Sequence, residues 1–189
     1  PSKIGKPVFY YKKQFLNLRS VTNQTDYLAI THPKFLQTAS NYVNTISSLY
    51  GVSKDLISVE DIFDEFSFGY PEPEALRLYS AITYQNRAEP KPQYLTLIGD
   101  ADYDYKLYRF KADGVKGGGN FVPSYGNPVS DNWLVVWDEN TLPIPQMKVG
   151  RIPINTIEEL DYYLSKVQNN FNERFDEWNK KYLFFLGGR

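Results

Sequence analysis

Short apolar runs alternate with helical stripes along this chain, and this alternation constrains the fold more than any other feature. The first three runs have the length of β-strands and lie at residues 27–30, 56–59 and 94–98. Apolar residues spaced by three and four positions predict a helix over 35–50, with Gly51 as its left-handed C-cap. Pro73 predicts the start of another helix before the third run. The pattern predicts right-handed βαβ units, and therefore an α/β three-layer sandwich with a mostly parallel sheet flanked by helices.

The second half of the chain continues the pattern after a glycine-containing excursion over residues 101–129. Strands are predicted at 133–137 and 147–150, and Thr156 with Glu159 forms a capping box that predicts a helix. The last apolar run, 182–186, is typical of a buried strand. Such a strand rarely closes a domain, so we expect the rest of the sheet to lie in sequence beyond this chain.

Charge and cysteine content exclude several function classes. The 21 Lys and Arg against 22 Asp and Glu give a net charge of −1, so no basic field supports nucleic-acid or acidic-membrane binding. No apolar run approaches the roughly 18 residues of a membrane helix. The absence of cysteine excludes a disulfide, a thiolate metal site and a cysteine nucleophile within these residues.

The first residue is Pro1, without a signal-peptide pattern, and we expect a piece of a longer precursor.

Residues 1–25 are basic and irregular, which predicts an entry segment or linker, and residues 26–189 are predicted to form the α/β domain.

Three alternating aspartates, Asp100, Asp102 and Asp104, follow the third predicted strand. Carboxylates this close repel each other unless a cation or donors relieve them, which indicates a hard, oxygen-binding metal ion. The spacing does not match an EF-hand, because Tyr105 stands at the sharp-turn glycine position. A solvated acidic loop in which Asp100 caps a turn is the alternative.

No catalytic residue is predicted in this chain. His32 is the single histidine, and a set with Ser124 or Ser130 and Asp131 lacks the Gly-x-Ser-x-Gly elbow. We expect His32 to be a hydrogen-bonded structural residue.

Candidate binding residues are Asp100, at the carboxyl end of a strand, and Asp131 with Trp133. Asp131 and Trp133 could line a cleft, or Asp131 could tie down the long excursion, and the sequence leaves both readings open.

Five sequence motifs, in this order along the chain, together resemble those of one family. They are Tyr27-Leu28-Ala29-Ile30-Thr31-His32-Pro33, Ile62-Phe63-Asp64-Glu65-Phe66-Ser67-Phe68-Gly69, Pro71-Glu72-Pro73-Glu74-Ala75-Leu76-Arg77, Tyr94-Leu95-Thr96-Leu97-Ile98-Gly99-Asp100-Ala101-Asp102-Tyr103-Asp104 and Val149-Gly150-Arg151-Ile152-Pro153. The family is that of the gingipain-type cysteine peptidases, which includes the sortase-like peptidase of the type IX secretion system.

The resemblance implies a caspase-like fold of two α/β subdomains, of which this chain matches the first. The family's Cys-His dyad lies further along, and no position here corresponds to either residue. Structural calcium in relatives implies possible ligands at Asp100, Asp102, Asp104 and Asp138, with Asp131 also of interest. Gln146 stands where relatives often have an acidic residue before the Val-Gly-Arg strand.

By resemblance, the parent is expected to be a secreted or bacterial cell-surface cysteine endopeptidase that acts on proteins or peptides without a required cofactor. This chain would form a scaffold and cleft wall for the remaining half of the peptidase domain, and would be inactive alone. Two alternatives are a non-catalytic peptidase-like module for surface binding or secretion, and a calcium-stabilised structural domain.

Overall fold

The computed structural model describes residues 8–9, 12–102, 104, 119–126, 128–137, 144–173, 176–184 and 187. Within these ranges, four strands form one sheet in the order β2-β1-β3-β4, and every pair is parallel. The strands are β1 (Tyr27–Thr31), β2 (Lys54–Ser58), β3 (Tyr94–Ile98) and β4 (Lys148–Ile152). The parallel α/β fold predicted from the alternating pattern is confirmed.

Four α-helices connect or follow the strands in the described residues. They are α1 (Leu36–Tyr50), α2 (Val59–Phe66), α3 (Pro73–Asn86) and α4 (Ile157–Asn172). The predicted end signals are confirmed: Gly51 has φ 66° after α1, Pro73 opens α3, and Thr156 with Glu159 makes a complete capping box before α4. Ser58 accepts a hydrogen bond from the Glu60 amide, which starts α2 directly after β2.

Two apolar layers enclose the sheet. On one face, Tyr27 and Ala29 of β1 pack with residues of α1 and α4. On the other face, Leu28 and Ile30 of β1 pack with residues of α2 and α3. All five residues of β1 are buried, as expected for a central parallel strand covered on both sides.

The strand predicted at 133–137 is wrong. Residues Asp131–Val135 form a 3₁₀ helix, in which Leu134 and Val135 are fully buried beside the α2 and α3 face. A short apolar run can fill a core as a helical turn as well as a strand, and its length does not distinguish the two.

The strand predicted at 182–186 is not formed in its described part. Tyr182, Leu183 and Phe184 lie outside any strand and are 79–83% exposed, whereas residues 185 and 186 lie outside the described residues. A strand needs a hydrogen-bonded neighbour, and the described part of this run pairs with none of the four strands.

The described part of the segment before β1 packs against α2 and α3. Leu18 is 6% exposed, and its amide donates to Glu65 Oε2 at 2.7 Å. Asn86 Nδ2 donates to the Arg19 carbonyl, and Arg87 Nη1 donates to Asn23 Oδ1, both at 2.7 Å. The boundary between residues 25 and 26 stays a prediction.

Among the described residues, no helix has the length and apolarity needed to cross a bilayer.

Candidate functional site

The carboxyl ends of the strands form the candidate site, because ligands of open parallel sheets bind where the strand order reverses. The chain runs from β1 outwards to β2 and then returns past β1 to β3 and β4. The reversal therefore lies between β1 and β3. His32 follows β1 and Gly99-Asp100 follow β3 at this point.

Asp100 is held by both its backbone and its carboxylate. Its amide donates to the Ile154 carbonyl at 3.0 Å, and its carbonyl accepts from the Phe121 amide at 2.9 Å. The carboxylate accepts from Asn155 Nδ2 at 3.1 Å and from the Ala101 amide at 2.9 Å. Asp100 thus connects the carboxyl ends of β3 and β4 to Phe121, in the later part of the 101–129 excursion.

Gly99 allows this connection because the chain passes close to it. Its φ of +139° is one that side-chain-bearing residues rarely adopt, and a Cβ built there would lie 2.8 Å from the Phe121 Cβ.

The remaining acidic residues do not assemble a metal cage in the described part of the chain. Asp102 Oδ1 accepts from the Asp104 amide at 2.8 Å, so the loop partly satisfies its own carboxylates. No group of three or more His, Asp or Glu side chains within the described ranges is placed to hold a metal ion. Asp138 lies outside the described residues. The described residues alone therefore do not fit a calcium site, and calcium stays a prediction of the resemblance.

Asp131 forms a bidentate ion pair with Arg151 of β4, at 2.8 and 2.9 Å. Burial alone would raise the pKa of Asp131, but the hydrogen bonds and charge of Arg151 outweigh it and hold that pKa below its ordinary value. Arg151 Nη1 also donates to the carbonyls of Gly99 and Val122, each at 2.7 Å. The pair ties the start of the 3₁₀ helix Asp131–Val135 to β4. A role of Asp131 in lining a cleft stays a prediction.

Trp133 is engaged by its neighbours. Its ring stacks on Tyr125 with centroids 3.9 Å apart, and the Arg77 guanidinium carbon lies 4.8 Å from its centroid. Arg77 also donates to the Val136 carbonyl. The indole therefore packs the 3₁₀ helix against α3 through Arg77.

His32 has the structural role predicted from the sequence. Its Nδ1 accepts from the Lys34 amide at 3.1 Å, and its ring meets Phe121 edge to face at 5.3 Å. Burial lowers the pKa of His32 below its ordinary value. Among the described residues, it has no hydrogen bond to Ser124, Ser130 or Asp131.

A cavity of about 410 Å³ lies at the carboxyl ends of β1 and β2, between α2 and the returning excursion. His32, Glu60 and Phe121 line it, together with Lys13 and Asp64. Charged and aromatic groups thus face one space at the edge where parallel sheets bind ligands.

Lys13 is anchored at that cavity by two carboxylates. Its Nζ lies 2.8 Å from Asp61 and also contacts Asp64. Burial would lower the pKa of Lys13, but the two carboxylates outweigh it and raise that pKa above its ordinary value.

Sequence reasoning missed Lys13 and Arg151. Lys13 looked like one of several scattered cations, and no local signal distinguishes it. Arg151 carried a usable signal: a charged residue within a predicted strand, next to the apolar Ile152, favours a partner of opposite charge, and Asp131 was available.

Comparisons with known proteins agree with this architecture. Residues 20–189 match the model of a family described as peptidase family C25. No curated protein matches the sequence. Among solved structures, the crystal structure of dimeric latent PorU from Porphyromonas gingivalis matches with a TM-score of 0.61 and 19% identity. The match covers 77% of this chain and 15% of the PorU chain, and at this identity it shows the caspase-like fold alone.

The family match spans most of the chain and includes all four strands and the Asp131–Arg151 pair. This chain therefore belongs to peptidase family C25, the gingipain family.

Proposed function

We propose that this chain is the first subdomain of a gingipain-like cysteine endopeptidase, secreted or held at a bacterial surface. In this proposal it serves as scaffold and cleft wall for a Cys-His dyad carried elsewhere in the parent polypeptide. The observation that carries the proposal is the family match over residues 20–189.

The composition and the site support a scaffold rather than a reaction centre. The 189 residues contain no cysteine, so the nucleophile of a cysteine peptidase has to come from other sequence. The single histidine caps a turn through Nδ1. The Asp131–Arg151 pair and the Asp100–Asn155 contact fix the loops at the carboxyl edge, which suits a wall against which a substrate lies.

In the parent, a thiolate would attack the scissile carbonyl while a histidine carries the proton and backbone amides hold the oxyanion. The residues of this chain would contribute by position. They would keep the carboxyl edge rigid and exclude water from one side of the cleft.

The test compares two polypeptides against a set of fluorogenic peptides: the 189-residue chain and the full product of the same gene. We expect turnover only from the full product, and we expect iodoacetamide to abolish it by alkylating the nucleophilic thiol. Turnover above background by the 189-residue chain would overturn the proposal.

A non-catalytic peptidase-like module is the second candidate. It is favoured by the absence of cysteine and by the structural use of the one histidine. A full gene product that binds peptides but shows no iodoacetamide-sensitive turnover would support this candidate over the peptidase.

The calcium prediction has its own test. If Asp100, Asp102, Asp104 and Asp138 take part in a site, EGTA will lower the melting temperature and added Ca²⁺ will restore it. An unchanged melting curve would count against calcium in this chain.

A further inference from the structure

A second cavity, of about 540 Å³, opens at the amino ends of β1 and β3, at the end of the sheet opposite the site described above. Tyr27 is the first residue of β1 and Tyr94 is the first residue of β3. Helices α1 and α4 form the side walls through Tyr42, Tyr50 and Tyr163. The volume lies within the range of about 300–1,000 Å³ that is typical of small-ligand sites.

Tyrosine dominates the lining of this cavity. Tyr27 and Tyr42 form its interior and are 5% and 6% exposed. Tyr50, Tyr94 and Tyr163 are 40–58% exposed and surround the opening. The Tyr42 and Tyr163 rings are tilted by 48° with centroids 6.0 Å apart. The cavity therefore offers rigid ring surfaces from two helices and from the sheet.

The Tyr42 hydroxyl lacks a protein partner in the described part of the chain. Tyr42 is 6% exposed as a residue and lines the cavity. Its hydroxyl makes no hydrogen bond to a described residue, and this oxygen is not enclosed by protein atoms, so it is accessible from the cavity. This leaves one donor and acceptor available to a bound molecule.

The charge of the lining narrows the class of ligand. Among the described residues, no Asp, Glu, Lys or Arg lines the cavity. Burial raises the pKa of Tyr27 to about 12, so this phenol stays neutral at physiological pH. Lys148 Nζ already lies 4.9 Å from the Tyr94 ring centroid and would repel a cationic ligand. A ligand that fits is neutral, has apolar faces for the rings and carries hydroxyl groups for the phenols.

We infer that this cavity binds a small neutral saccharide. The C–H faces of a pyranose ring would lie against the tyrosine rings, and its hydroxyls would exchange hydrogen bonds with Tyr42 and the phenols at the opening. The inference does not depend on the proposed peptidase role, because the cavity lies at the other end of the sheet.

The test uses saturation-transfer difference NMR and calorimetry on the protein with glucose, galactose, mannose, N-acetylglucosamine and maltose as probes. Tetramethylammonium serves as the cationic comparator. We expect saturable binding of at least one sugar and none of tetramethylammonium. Tyr42→Phe keeps the ring and should weaken binding about fivefold through one lost hydrogen bond. Tyr70→Phe, at an exposed position outside the cavity, should leave binding unchanged.

Tyr42→Phe removes a hydroxyl that has no described partner, so we expect this variant to fold as the parent does. Tyr163→Ala, which removes a ring from the opening, should abolish measurable binding and provides a second readout. Failure of all five sugars to saturate would overturn the inference. It would also be overturned by tighter binding of tetramethylammonium, or by equal losses in Tyr42→Phe and Tyr70→Phe.

Discussion

Arg151 and Asp131 are joined by two parallel hydrogen bonds, from Nε to Oδ2 at 2.9 Å and from Nη2 to Oδ1 at 2.8 Å. The pair fastens the 3₁₀ helix Asp131–Val135 to β4. Because Arg151 also donates to the Gly99 and Val122 carbonyls, a single side chain holds three segments together at the carboxyl edge.

We expect Asp131→Asn to lower the free energy of unfolding by about 3 kcal/mol. The substitution leaves the largely buried Arg151 charge without its counterion, which costs more than an exposed ion pair contributes. Urea denaturation at pH 7 measures the change. Asp161→Asn, on the exposed face of α4, is the matched control and should change stability by less than about 0.5 kcal/mol. Equal effects of the two substitutions would contradict this assignment.

The contribution of Asp131 should depend on pH. Its pKa is lower in the folded protein than in the unfolded chain, so its stabilisation is fully present above the unfolded value of about 3.9. As the pH falls below that value towards the folded pKa, the carboxylate protonates and the stabilisation is lost. The difference in unfolding free energy between the parent and Asp131→Asn should therefore be constant from pH 5 to 7 and shrink at pH 3. A difference in unfolding free energy that grows on acidification would contradict the lowered pKa of Asp131 in the folded protein.

Gly99→Ala should destabilise the protein by about 2–3 kcal/mol, because the new Cβ would meet the Phe121 Cβ at 2.8 Å in an unfavourable backbone conformation. Gly150→Ala in β4 is the control, since nothing lies within 4 Å of its added Cβ. We expect that control to change stability by less than about 1 kcal/mol in either direction. Thermal denaturation of both variants by circular dichroism compares them directly.

Lys13→Met should cost about 1 kcal/mol, since this partly exposed ammonium bridges Asp61 and Asp64. The effect should diminish in 1 M NaCl, where screening weakens the attraction. In the Asp61→Asn background the same substitution should cost less, and a double-mutant cycle measures that coupling. Strict additivity of the two substitutions would show that the contact contributes nothing.

Much of the fold could be predicted from the sequence because its signals are local. The burial of β1, the Gly51 cap and the Thr156 capping box each follow from a few neighbouring residues. The strand predicted at 133–137 failed because five apolar residues satisfy a buried turn equally well. The position of this run depends on residues that are far away in sequence. Arg77 donates to the Val136 carbonyl, and Arg151 pairs with Asp131.

The candidate site was predictable in outline and not in its contacts. The carboxyl ends of β1 and β3 were identifiable from topology, and Asp100 lies there as expected. Its pairing with Asn155 spans 55 residues of sequence, and the Lys13–Asp64 contact spans 51. No local pattern encodes such separations. The tyrosine-lined cavity at the amino ends of β1 and β3 could not be predicted for the same reason, because its rings come from two strands and two helices.

The common direction of the four strands also sets the electrostatic character of the carboxyl edge. Helices α1, α2 and α4 begin shortly after the strands that precede them, so their amino termini gather beside that edge. Each helix start carries a partial positive charge of about half an elementary charge. Side chains already compensate part of it, because Ser58 and Thr156 cap the first-turn amides of α2 and α4, and both helices begin with acidic residues. The aligned helix dipoles therefore explain why carboxylates such as Glu60 and Glu159 are stable together at this end of the molecule.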